Sequence, residues 1–177
     1  MREEGRRLYD ALAGQARLPV FYAGLGVPDS IDGRFEMLCV HAHAVFHRLR
    51  GRGAQAEQLA QATYDAMFAG LDGALREMGV ADLGVGRRIK IMTEALNGRI
   101  QAYDAALTSA DADELPAAVR RNVYGTVTPG AAQVAAIANY QRALRAALTA
   151  AGESDLLAGR VAFPPVKAGP EASHAAS

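Results

Sequence analysis

What most constrains this chain is the spacing of its apolar residues, which recur every three or four positions over long stretches. Ile31, Phe35, Leu38, Ala42, Val45 and Leu49 make one such series; Ile89, Met92, Leu96, Ile100, Tyr103 and Leu107 make another. A helix of about 3.6 residues per turn gathers each series onto one face, whereas a strand would divide it between two. Several faces of this kind must be buried against one another. The expected fold is therefore all-α, an irregular bundle of about six helices with a short extended C-terminal segment. Abundant Ala supports helix, and no alternating series marks a strand set.

Punctuation sets the boundaries. A first helix is expected over Arg2 to Gln15. Pro19, Gly24, Gly26 and Pro28 then make Arg17 to Ser30 irregular. Ser30 is the expected N-cap of a second helix running to Arg50, with Asp32 in its first turn. A third helix, Ala54 to Met78, should bury Tyr64, Met67, Phe68, Leu71, Leu75 and Met78. Gly70 and Gly73 mark candidate close crossings. After a loop from Val80 to Gly84, a fourth helix ends near Thr108. A short fifth covers Asp111 to Tyr124, and a sixth, Ala131 to Ala150, turns Val134, Ile137, Leu144 and Leu148 inward. Asp155-Leu156-Leu157 opens a brief last element, and Arg160 to Phe163 reads as extended. Residues 1–164 read as one helical domain, and 165–177 as a disordered tail of small residues.

At 177 residues the chain can bury a sizeable core without a metal or disulfides. Its one cysteine, Cys39, allows no intrachain disulfide, which fits a reducing compartment. Lys plus Arg equals Asp plus Glu at 19 each, so overall charge argues against a dedicated nucleic-acid binder. Met1 to Arg7 lacks the apolar stretch of a secretory leader, and no run reaches the ~20 apolar residues of a membrane span. The expected location is cytoplasmic, with any membrane contact peripheral.

Few residues point to chemistry. His41 and His43 lie about 200° apart around a helix, so they cannot share an ion. His43 and His47 share a face with Glu36, which makes a two-histidine, one-carboxylate metal site conceivable. One helix supplies only a line of ligands, however, so ordinary polar residues beside the apolar stripe are the favoured reading and no metal is assigned. Cys39 has no catalytic signature around it and reads as a small buried hydrophobe. Gly84-Val85-Gly86 lacks the spacing of a phosphate loop. Arg87, Arg88 and Lys90 are expected in the first turn of the fourth helix. The helix dipole disfavours cations there, so the placement is consistent with contact to an acidic partner, and equally with a solvated basic face or pairing with Asp82 and Glu94. The segment Leu18 to Gly33 is apolar without periodicity, so it must pack on the core or on a partner.

Longer strings are more specific. Gln15-Ala16-Arg17-Leu18-Pro19-Val20-Phe21-Tyr22, followed by Gly26-Val27-Pro28-Asp29-Ser30-Ile31-Asp32-Gly33-Arg34-Phe35-Glu36, resembles the opening of the ubiquinol–cytochrome c chaperone family in its alphaproteobacterial form. The resemblance continues through Leu59 to Phe68, Arg76-Glu77-Met78-Gly79-Val80, Val85-Gly86-Arg87-Arg88-Ile89-Lys90, Gly98-Arg99, Tyr103-Asp104 and Arg121-Asn122-Val123-Tyr124-Gly125. Asp155-Leu156-Leu157 with Gly159 and Val161 resembles the family's closing element. The resemblance implies an all-helical protein without catalytic activity or cofactor. It implies an assembly chaperone that binds newly made cytochrome b for the bc1 complex, near the ribosome and with a small assembly partner. On that footing the candidate client or partner residues are Arg17, Pro19, Phe21, Tyr22, Val27, Asp29, Asp32, Arg34 and His41. Arg87, Arg88 and Lys90 are candidates for the ribosome or an anionic membrane surface. The client surface is expected in part of the Leu18 to Val27 loop and a groove between the second and third helices, with Met67, Met78 and Met92 able to repack around it. The remaining readings are a metal or enzymatic protein using Glu36, His43 and His47, and a structural accessory subunit of the complex.

Overall fold

The structure, a computed structural model, describes residues 1–167. The expected disordered tail falls mainly on residues 168–177, outside the described residues. Seven α-helices are present among the described residues: α1 (Arg2–Ala16), α2 (Ile31–Leu49), α3 (Ala54–Glu77), α4 (Asp82–Thr108), α5 (Glu114–Asn122), α6 (Ala131–Ala150) and α7 (Glu153–Leu157). No strand occurs among the described residues, so the all-α bundle expected from periodicity is what the chain forms.

The bundle is built around α2. Ser30 caps it as expected, its Oγ accepting from the Gly33 N–H at 3.1 Å. Every residue from Phe35 to Val45 is buried, because α1, α3, α4 and α6 surround the helix. The sequence shows one apolar stripe; the structure buries the whole circumference, including Glu36, His41 and His43. Opposite partners therefore have to meet those three polar groups.

The most extensive helix pair is α1 with α3. A Cβ on Gly5 would stand 2.6 Å from the carbonyl carbon of Ala62, so only glycine lets the two backbones approach this closely. Gly70 likewise faces the Tyr9 ring, as expected of a crossing, whereas Gly73 meets nothing. Along α3 the buried residues are Ala56, Leu59, Thr63, Met67 and Leu75. Tyr64, Phe68 and Leu71 are only half-buried, and Met78, the residue that follows the last turn of α3, is exposed.

Two boundaries differ from expectation. The segment after α1 contains a single π-turn, Val20–Gly24, closed by the Leu25 N–H donating to the Val20 carbonyl at 2.9 Å. Pro19 at its start and Gly24 at its end suit a short turn as well as they suit a loop. In addition, α4 begins at Asp82, so Gly84 and Gly86 lie inside a helix. Arg87, Arg88 and Lys90 consequently stand beyond the first turn, and the dipole argument for their placement does not apply.

Phe21, Leu25 and Val27 of the connecting segment are buried in the core, and Tyr124 donates its hydroxyl to the Leu25 carbonyl at 2.7 Å. Arg48 of α2 donates to the Leu148 carbonyl at 3.0 Å, satisfying the last turn of α6. After α7, Val161, Phe163 and Val166 lie in coil against the core. No helix among the described residues is long and apolar enough to cross a membrane.

Candidate functional site

An apolar groove of about 390 Å³ lies where α1, the start of α2 and the end of α3 diverge. Tyr9, Ala13 and Ala16 form one wall, Ile31, Phe35 and Leu38 a second, and Gly70, Leu71 and Ala74 a third. Small residues open the space: Gly70 and Ala74 project little from α3, and Ala13 and Ala16 little from α1. Met78, 55 % exposed, also lines it. So do the charged residues Arg17, Asp29 and Arg34, with Arg34 Nε donating to Asp29 Oδ1 at 2.8 Å.

The same three residues border a second concavity of about 660 Å³, lined also by Pro19, Tyr22, Ala23 and Val27. Six of the residues singled out in the sequence, Arg17, Pro19, Tyr22, Val27, Asp29 and Arg34, thus meet at one continuous surface. Tyr22 is fixed there by donating its hydroxyl to the Ala16 carbonyl at 2.7 Å. Burial raises its pKa above the ordinary phenol value, so it stays neutral. The π-turn lets Tyr22 face outward while Phe21 points into the core.

Phe21 and His41 lie elsewhere. Both are wholly buried, with ring centroids 5.7 Å apart. His41 donates from Nδ1 to the Met37 carbonyl (2.7 Å) and accepts at Nε2 from the Tyr140 hydroxyl (2.8 Å). Tyr140 accepts in turn from Gln15 Nε2 at 3.1 Å. Burial holds the His41 pKa down to about 4, so this chain joins α2, α6 and α1 through a neutral imidazole. Asp32 is exposed on the first turn of α2 and lines neither concavity.

The metal alternative changes its carboxylate. Glu36 does not face the histidines; its carboxylate receives Arg99 of α4 in a two-pronged pair at 2.6 and 3.0 Å. Burial pushes the Glu36 pKa up, and the guanidinium opposes that shift. The carboxylate beside His43 and His47 is Asp104 of α4, which the sequence places 61 and 57 residues away. Cys39 is fully buried, and burial raises its thiol pKa well above the usual value, the behaviour of an inert core thiol.

Arg87, Arg88 and Lys90 are exposed on α4, and they form no ion pair among the described residues. Asp82, their nearest expected partner, is held by Arg76. Leu83 is 93 % exposed and Ile91 58 % exposed. At about 100° per residue, Leu83, Arg87, Lys90 and Ile91 share the side of α4 opposite buried Val85 and Met92. The periodicity of α4 reveals its inner face, but the outward apolar residues emerge only with the structure. Met67 and Met92 fill the core, which leaves Met78 as the accessible member of the three methionines.

The model of the family described as ubiquinol–cytochrome c chaperone matches residues 23–163. A crystal structure described as that of the Cbp3 homolog from Brucella abortus is similar to this chain at 34 % identity and a TM-score of 0.82. It covers 93 % of this chain and 90 % of its own. No curated protein matches.

Proposed function

This chain belongs to the ubiquinol–cytochrome c chaperone family, and from that premise we propose that it is a non-enzymatic assembly chaperone that binds newly made cytochrome b. The observation that supports this reading is the apolar groove between α1, α2 and α3, lined also by charged Arg17, Asp29 and Arg34. A membrane protein awaiting its partners has apolar helix faces, which need temporary cover. A groove walled by Ala, Leu and Phe accepts such side chains, and polar groups in the lining let the client leave again. Cys39 is inert and the groove holds no nucleophile–base pair, so the reading requires no chemistry.

The outward stripe of α4 gives the complex a direction. Leu83 and Ile91 offer apolar contacts, and Arg87 and Lys90 beside them, with exposed Arg88 on the flank, attract an anionic surface. The protein would then work at the cytoplasmic face of the inner membrane, close to where cytochrome b is inserted. A ribosomal surface is the other anionic candidate, and a small assembly partner would find room at the second concavity.

Ala74 is exposed and lines the groove, so Ala74→Asp places a charge there without disturbing the core. Cells carrying only this variant should lose cytochrome b, while the purified variant keeps wild-type helicity and unfolding midpoint. Unchanged cytochrome b would reject the groove. A structural accessory subunit would remain in the purified mature bc1 complex, where a chaperone is absent.

A further inference from the structure

We propose that His43, His47 and Asp104 form a binding site for one divalent transition-metal ion of the zinc class, linking α2 to α4. His43 and His47 stand one helical turn apart on α2, and Asp104 reaches them from α4. His43 Nε2 is 2.8 Å and His47 Nδ1 is 3.1 Å from the same oxygen, Asp104 Oδ1. One donor atom from each residue lies within 4.8 Å of the others. Ligands held at about 2.0–2.1 Å from a tetrahedral ion are about 3.3 Å apart. Two of the three separations are already close to that value, so an ion fits with a small side-chain adjustment.

The surroundings suit an ion that exchanges with solvent. His43 is 2 % exposed and fixed by the core, whereas His47 and Asp104 are 30 % and 24 % exposed and open to water. Arg50 Nη1 holds the second oxygen, Asp104 Oδ2, at 2.8 Å, leaving Oδ1 as the single ligating oxygen. Two imidazoles and one carboxylate select zinc, nickel or copper over magnesium or calcium, with water as the fourth ligand. Arg50 and Arg145 face the cluster and oppose a cation, so the expected affinity is modest, with Kd on the order of micromolar.

Without an ion, the same geometry is explained by both rings donating N–H to Oδ1, and the experiment separates the two cases. Full-length protein without an affinity tag is stripped with chelator, then titrated with Zn²⁺ by calorimetry and with Co²⁺ by visible absorption. The expected result is one saturable equivalent, with the strong visible bands of four-coordinate Co²⁺. His47→Ala removes a half-exposed ligand and should weaken binding about tenfold or more while leaving the metal-free unfolding midpoint near wild type. Asp104→Asn should weaken it similarly. Absence of a saturable equivalent, or Zn²⁺ binding unchanged in His47→Ala, would overturn the proposal.

Discussion

Mild acid should weaken this fold, and His41 should carry much of the effect. The imidazole is wholly buried, with its Nδ1 proton committed to Met37 and its Nε2 lone pair to Tyr140. A second proton would have to displace the Tyr140 hydroxyl hydrogen and sit uncompensated beside Phe21 and Phe163. The pKa accordingly falls from 6.5 to about 4. Unfolded chains take up this proton near 6.5 and the folded protein only near 4, so the unfolded state binds more protons in between. The stabilisation is therefore complete above 6.5 and lost as pH falls through that window. Integrating across it, the loss is about 2 kcal/mol at about pH 5 and levels off near 3 kcal/mol below the folded value. His43 moves in the same direction, whereas Asp104, held down to about 2, contributes only in stronger acid. Denaturant unfolding of wild type and His41→Gln at about pH 7.5 and about pH 5 isolates the residue, because glutamine does not titrate. Wild type should lose about 2 kcal/mol more than the variant between the two conditions. Equal losses would show that His41 is not held neutral and would refute the reasoning.

Other perturbations follow from the packing. Gly5→Ala drives a methyl into Ala62 and should destabilise the protein by about 1–3 kcal/mol in urea unfolding, with α1 the first element to exchange its amide protons. Arg99→Met leaves the Glu36 carboxylate mostly buried and unpaired. It should cost about 2–4 kcal/mol, and adding Glu36→Gln should recover part of that, as a double-mutant cycle would measure. Reversing Arg87, Arg88 and Lys90 to Glu should remove at least about 3 kcal/mol from binding to anionic vesicles, roughly a hundredfold in affinity by flotation, with little change in stability.

Much of the helical layout is legible in the spacing of apolar residues. The α6 boundaries and its inward Val134, Ile137, Leu144 and Leu148 follow directly from it, as does the Ser30 cap. The start of α4 is less legible, since two glycines in its first turns look like a loop. A glycine lowers helix stability by only about 1 kcal/mol, and packing of Val85 outweighs it. The all-round burial of α2 is hidden because Glu36, His41 and His43 look like a polar face. Their partners Arg99, Tyr140 and Asp104 are 63, 99 and 61 residues away, and local periodicity carries no information about such distant pairs. The groove and the concavity beside it have the same origin: Arg17, Pro19, Tyr22, Asp29 and Arg34 are recognisable in the sequence as a string. The walls contributed by Tyr9, Gly70 and Ala74 come from two helices whose crossing the sequence does not specify.

The central claim is that the groove between α1, α2 and α3 receives the client. A photo-crosslinking amino acid at position 74, activated in growing cells, tests it most directly. The account predicts a crosslinked product containing cytochrome b, lost when Leu71 is changed to Asp and absent from a control position on α6 such as 143. A position-74 probe that never captures cytochrome b, while the control position does, would contradict it.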